Sequence, residues 1–269
     1  MINLKRNAKL ALIKAQGKRS RIDTIYVSNQ KKDFKLSRSK FNNFLLCPRC
    51  FYFDRVIGLQ EPGMPGWALN TATDHLLKKE FDVCRKEHRP HRLFARNGLN
   101  HVIPLDHPEI DNWRDSLHKG LMHRFEATNI ILSGGIDDIW LDTTTQELIV
   151  VDYKSQASDY PVETESYLSN EYHQSYKIQM DFYNYLLVSM GYKVSPLSYF
   201  LVVNADRNAD GFYGHMKFSE TLIPYQHDIS WLPNKIQAMI DLMNLDIIPE
   251  SNMSCENCAY AKERGSLDQ

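Results

Sequence analysis

Asp137, Asp152 and Lys154 are the residues whose types and spacing could do chemistry. Leu148-Ile149-Val150-Val151 is an unbroken apolar run, as expected of a strand buried on both faces. It delivers Asp152-Tyr153-Lys154. Side chains alternate along a strand, so Asp152 and Lys154 point one way and Tyr153 the other. Upstream, residues 136–141 read as a second short strand and Thr143-Thr144-Thr145-Gln146 as the polar turn between the two, so Asp137 comes from the hairpin partner. Two carboxylates gathered at one end of a buried sheet repel unless a cation lies between them. Oxygen donors alone suit Mg²⁺ or Mn²⁺, ions that keep several waters and bind phosphate. Such an ion lowers the pKa of bound water and offsets charge on a phosphodiester transition state, and a lysine beside it can orient the water or a phosphate oxygen. A surface hairpin with a solvated acid and an ion-paired lysine would display the same D-x-K triplet. The second acid across the hairpin argues against that simpler account.

Three motifs occur in order: Gly134-Gly135-Ile136-Asp137, Val150-Val151-Asp152-Tyr153-Lys154-Ser155, and Gln179-Met180-Asp181-Phe182-Tyr183. Together they resemble the PD-(D/E)XK nuclease superfamily, and within it the RecB-type exonuclease branch, which writes them as G-x-I-D, V-V-D-Y-K-T and Q-h-x-x-Y with h apolar. The resemblance implies an α/β, restriction-endonuclease-like fold, a mixed β-sheet flanked by helices. It implies a metal-dependent DNA nuclease, most simply an exonuclease on single-stranded or frayed ends, working in DNA repair, recombination or defence. Asp137, Asp152 and Lys154 fall on the branch's catalytic positions; Gln179 and Tyr183 would lie beside them. Mg²⁺ or Mn²⁺ would be held by Asp137 and Asp152 with the main-chain carbonyl of Val151 or Tyr153. The family also carries a metal-binding histidine on its first helix. Aligning Thr71-Ala72-Thr73-Asp74-His75-Leu76-Leu77 on that pattern puts Asp74 at the histidine's position, with His75 the alternative, one residue and about 100° round the helix. This departure supports the rival reading, a non-catalytic nucleic-acid-binding module that keeps the nuclease fold.

The five cysteines are Cys47, Cys50, Cys84, Cys255 and Cys258. Two C-x-x-C pairs at opposite ends of the chain present four thiolates to one metal, and Cys84 is left as a core residue. The iron–sulfur members of the resembled branch, including CRISPR-associated nucleases, carry a segment similar to Cys47-Pro48-Arg49-Cys50-Phe51-Tyr52 near the N-terminus. They use one N-terminal and three C-terminal cysteines. Here Arg264 stands where the third C-terminal ligand would be, and Cys50 can restore the count of four. The resemblance favours a [4Fe–4S] cluster; two-plus-two spacing is equally natural for Zn²⁺.

The elements that must position these residues follow from periodicity. Residues 68–84 read as a helix with Leu69, Ala72, Leu76, Leu77 and Phe81 on one face, residues 111–127 as a second helix, and 171–190 as a third that stacks Gln179 and Tyr183 four apart. Residues 85–104 read as a solvated loop or a strand of the substrate face, 155–169 as a loop, 197–204 and 211–218 as strands, and 231–244 as a final helix. Glu61-Pro62-Gly63-Met64-Pro65-Gly66 is a turn-rich loop. The net charge is −1, yet residues 1–40 hold 12 Lys and Arg against two acids. Residues 1–33 are therefore set apart as a basic segment, with the nuclease domain over 34–269, its two ends joined by the cysteines. Residues 1–21 contain no acid and could form a basic helix, a mitochondrial targeting segment or an arm that follows phosphates. No apolar run approaches the roughly 20 residues of a membrane span and no secretory segment is present, so the expectation is a cytoplasmic protein with DNA as its partner. No G-x-x-x-x-G-K-[ST] motif occurs, so any helicase motor would be a separate partner.

Overall fold

The apolar run Leu148–Val151 becomes the middle strand of a mixed sheet. The structure, a computed structural model, describes residues 4–63 and 66–267. Met1, Ile2 and Asn3 of the basic segment and Met64-Pro65 of the expected turn lie outside the described residues. In chain order the elements are β1 (Phe34–Ser37), α1 (Arg38–Leu46), α2 (Pro48–Tyr52), α3 (Ala68–Lys86), α4 (Arg92–Arg96), β2 (Val102–Pro104), α5 (Ile110–Arg114), β3 (Leu121–Arg124), β4 (Ile130–Gly134), β5 (Asp138–Asp142), β6 (Leu148–Gln156), α6 (Thr164–Ser169), α7 (Gln174–Ser189), β7 (Leu197–Ala205), β8 (Phe218–Gln226), α8 (Leu232–Met243) and α9 (Glu256–Leu267). A five-stranded sheet runs β2-β5-β6-β7-β8, and a three-stranded one β1-β4-β3. In the larger sheet β6 and β7 are parallel and every other neighbouring pair is antiparallel. The parallel pair requires a crossover, which α6 and α7 provide. This is the expected mixed α/β architecture.

Two compact units divide the chain. One comprises Met1–Gly66, Arg124–Leu132 and Pro233–Gln269; the other comprises Trp67–His123 and Ser133–Leu232. The second contains the five-stranded sheet. Its core gathers Leu77 and Phe81 of α3, Leu93 and Phe94 of α4, and Trp140, Ile149, Val151, Tyr153, Leu201 and Val203 of the sheet. The Phe81 ring lies 5.4 Å from Trp140 and 5.7 Å from Tyr153, centroid to centroid. Thus α3 covers the face that receives Tyr153. The opposite face, with Asp152, receives Gln179 of α7.

Several elements differ from expectation. The stretch 111–127 is not one helix. Asp115 accepts hydrogen bonds from the main-chain N–H groups of Leu117 and His118, closing a turn, and Gly120 adopts φ +80°, so the helix stops at Arg114 and β3 follows. Residues 130–156 hold three strands rather than two, because β4 precedes the hairpin. Of the loop or strand expected over 85–104, a strand forms at its end as β2, with the unexpected α4 before it, and the loop assigned to 155–169 contains the end of β6 and α6. The strand expected over 211–218 begins only at Phe218, since Tyr213 and Gly214 take left-handed backbone conformations. The helix expected from 171 opens with a 3₁₀ turn at Glu171–His173 before α7. Residues 4–21 contain no α-helix. Arg19 N–H donates to the Gly58 carbonyl and Gln60 N–H to the Gly17 carbonyl, and this extended pairing displaces a helix that an isolated segment would form only marginally. On α3 the buried positions are Leu77, Phe81, Cys84 and Arg85; Leu69 and Leu76 are exposed. Finally, α8 is not the last helix, for α9 follows the second C-x-x-C pair.

Candidate functional site

Asp152 leaves the buried part of β6 fully enclosed, and Lys154, two residues on, lies on the same side and is ion-paired with its Oδ2. That oxygen is buried and accepts no well-aligned hydrogen bond. The other carboxylate oxygen accepts from Gln179 Nε2 at 2.6 Å, and the same amide donates to the Tyr183 hydroxyl at 3.2 Å. One turn of α7 separates Gln179 from Tyr183, so the helix presents both to the sheet. Asp137 sits in the bend just before β5. The main-chain N–H of Tyr153 donates to its Oδ2 at 2.8 Å, which ties the loop carboxylate to the strand that carries Asp152. Burial raises the Asp152 carboxyl to about 7, Lys154 opposes that shift, and the neighbouring Asp137 adds to it.

Asp74, on α3, faces the same place. Burial and then repulsion from Asp137 raise its carboxyl. Lys78, one turn along, donates to Asp74 at 3.0 Å and stands 3.9 Å from Asp137. His75 is exposed. The fold therefore collects Asp74, Asp137 and Asp152 with Lys154 and Gln179, and leaves His75 outside the group. Carboxylates that repel one another make an all-oxygen donor set of the kind that suits a hard divalent cation, and here Lys154 and Lys78 supply the opposing positive charge.

Four residues of this neighbourhood are not singled out by motif spacing. Lys78 lies on the face of α3 that carries Asp74, which is visible only once Asp74 is placed. Tyr176 lies under the Lys154 ammonium, 4.6 Å from ring centroid to nitrogen, and precedes the motif that includes Gln179. Tyr167, on α6, has a buried hydroxyl with no hydrogen-bond partner among the described residues, and Asp152 is among the charges that it feels. Asp138 adjoins Asp137 but points into the core: fully buried, it accepts from Arg85 at 2.6 Å, Arg114 at 2.7 Å and the Tyr153 hydroxyl at 2.9 Å. Such hydrogen bonds to an ionised acid are strong and directional, so they fix the start of β5 and with it the adjacent Asp137. Gly135 belongs to the same turn, and a Cβ there would collide with Ser116.

In the other unit, Cys47 is the N-cap of α2 and Cys50 lies in its first turn; Cys255 directly precedes α9 and Cys258 lies in that helix's first turn. Their sulfur atoms all lie within 4.8 Å of one another, the one such set of His, Cys, Asp or Glu donors among the described residues. Burial raises the Cys258 thiol to about 11. Burial also raises Cys47, but main-chain hydrogen bonds from Cys50 and Asn252 outweigh it and bring that thiol down to about 7. Crowded thiols that resist losing more than one proton are a donor set that a cation would complete. Cys84 is buried in the sheet-bearing unit, apart from this set.

A family model described as the PD-(D/E)XK nuclease superfamily matches residues 66–262. No curated protein matches the chain. No helix among the described residues is long and apolar enough to cross a membrane.

Proposed function

Because the chain belongs to the PD-(D/E)XK nuclease superfamily, we propose that it is a metal-dependent deoxyribonuclease that hydrolyses phosphodiester bonds at Asp137, Asp152 and Lys154. The observation that carries this reading is the convergence of two carboxylates and a lysine from β6 and the bend before β5, with Gln179 bonded to one of them. Mg²⁺ or Mn²⁺ would be held by Asp137 and Asp152, with Asp74 and the Tyr153 main-chain carbonyl completing the protein's share. When bound, the ion supplies a water of lowered pKa and offsets charge on the phosphate.

The protein's own groups have distinct tasks. Lys154 donates to the attacking water or to a phosphate oxygen, and the Tyr176 ring beneath it keeps the ammonium in place. Gln179 fixes the Asp152 rotamer, and Tyr183 orients the Gln179 amide. The Tyr153 N–H holds Asp137 toward Asp152. The motifs Gly134–Asp137, Val150–Ser155 and Gln179–Tyr183 support the RecB-type branch. That supports exonuclease action on single-stranded or frayed DNA ends in repair, recombination or defence, with any helicase supplied by another protein.

A second reading, a non-catalytic nucleic-acid-binding module, is favoured by one observation. The Lys78 ammonium already stands between Asp74 and Asp137, where it neutralises charge that a cation would otherwise offset. Incubation with end-labelled single- and double-stranded DNA, in Mn²⁺ and in EDTA, separates the two. Nucleotide release in Mn²⁺ that EDTA abolishes supports the nuclease. Binding without cleavage under either condition supports the module.

A further inference from the structure

We infer that Cys47, Cys50, Cys255 and Cys258 hold a single tetrahedral zinc ion, not a cuboidal iron–sulfur cluster. The inference is independent of the nuclease reading, because it rests on sulfur-to-sulfur geometry in the other unit. In a tetrahedral site with metal–sulfur bonds of about 2.3 Å, neighbouring sulfurs are about 3.8 Å apart. In a [4Fe–4S] cluster each thiolate binds a different iron. The iron–iron edge and two outward bonds then separate the thiolates by roughly 6 Å. The observed separations are 3.8 Å for Cys47–Cys258, 3.5 Å for Cys50–Cys255 and 3.4 Å for Cys50–Cys258, and no pair of the four exceeds 4.8 Å. Four sulfurs this close surround a single ion, whereas a cube of four irons and four sulfides holds its thiolates farther apart.

The surrounding contacts oppose expansion to the larger cage. Asn252 Nδ2 donates to the Leu46 carbonyl at 2.9 Å, Arg49 Nε to the Pro249 carbonyl at 2.9 Å and Asn257 Nδ2 to Glu61 at 3.1 Å. The first two bonds join the segment of one cysteine pair to that of the other, and the third ties the second pair to the loop that carries Glu61. Cys255 and Cys258 also lie at the start of α9, whose N-terminal dipole favours thiolate.

The test is metal and sulfide analysis of the full chain purified without oxygen from cells supplied with both iron and zinc. One zinc per chain, no acid-labile sulfide and no absorbance near 400 nm are expected. Replacement of zinc by Co²⁺ should give the intense red-region bands of a tetrahedral thiolate site. Cys50→Ser with Cys258→Ser should lose the ion, while Cys84→Ser keeps it. Should the double variant fail to fold, the wild-type stoichiometry and the Co²⁺ spectrum decide by themselves. Iron and sulfide in equal amounts would overturn the inference, as would one iron without sulfide. So would a folded wild-type chain that takes up no zinc from an equimolar solution in competition with a chromophoric chelator.

Discussion

Asp152 is the residue on which the proposed chemistry turns. Asp152→Asn keeps the size and one hydrogen-bond acceptor but removes the charge that a divalent cation needs. Loss of one such interaction, several kcal/mol, should lower cleavage about 10³-fold while circular dichroism stays that of wild type. Wild-type cleavage by a folded Asp152→Asn protein would sink the assignment. Asp74→Ala should raise the Mn²⁺ concentration for half-maximal activity more than His75→Ala does, since Asp74 faces Asp137 and His75 is exposed. The reverse order in a Mn²⁺ titration would remove Asp74 from the site. The alternation of a strand is enough to read Asp152 and Lys154 together and Tyr153 apart. Lys78 and Tyr176 escape such reading, because a lysine four residues from an acid and a tyrosine three before a glutamine are ordinary on helices and acquire meaning only from what the fold brings near them.

At the scale of elements, Asp138 anchors the start of β5. Two arginines from α3 and α5 and the Tyr153 hydroxyl all end on it. Asp138→Ala leaves Arg85 and Arg114 largely buried without their shared partner. The expected cost is about 3–5 kcal/mol in chemical denaturation, with DNA cleavage falling as Asp137 loses its fixed neighbour. A loss below about 1 kcal/mol would mean that Asp82, which also pairs with both arginines, suffices to hold them. Strands such as β6 and β7 are legible because their apolar runs have one explanation. The stretch 111–127 misleads because Trp113, Leu121 and Phe125 are all buried and fall near helical spacing, although they belong to a short helix, a strand and the turn that follows it. The break lies in the Asp115 turn and Gly120, features that an apolar periodicity does not record.

At the scale of the whole molecule, Asp54 governs acid stability in the unit that holds the cysteines. It is buried, and Arg19, Lys40 and Arg55 all pair with it. Burial raises its carboxyl, but hydrogen bonds from Arg55, Lys40 and Arg19 outweigh that and bring it down to about 2. A folded-state value below the unfolded one contributes stability that is full above about pH 4 and is lost as pH falls toward 2. Asp54→Asn should therefore cost about 2 kcal/mol at neutral pH and progressively less below pH 4, measured by denaturant titration across that range. A constant difference at every pH would assign the effect to packing. Because Arg19 serves Asp54, the basic segment is best tested by a chain that begins at residue 16. DNA affinity should fall and the slope of log affinity against log salt should flatten, with cleavage retained; an unchanged slope would mean that the segment does not touch phosphates. The cysteine-bearing unit is discontinuous, built from three pieces of chain, the last of which starts at Pro233. During synthesis the residues of the sheet-bearing unit are all made before that piece exists, so translation delivers the two units to the outside in a fixed order. The nascent sheet can pack early, while the N-terminal quarter waits, exposed, for the final segment. Ribosome-bound chains that end at Met243 and are followed by a flexible tether long enough to span the exit tunnel should accordingly show a protease-resistant sheet unit and a digestible N-terminal segment, and resistance of that segment should appear only in tethered chains that include α9.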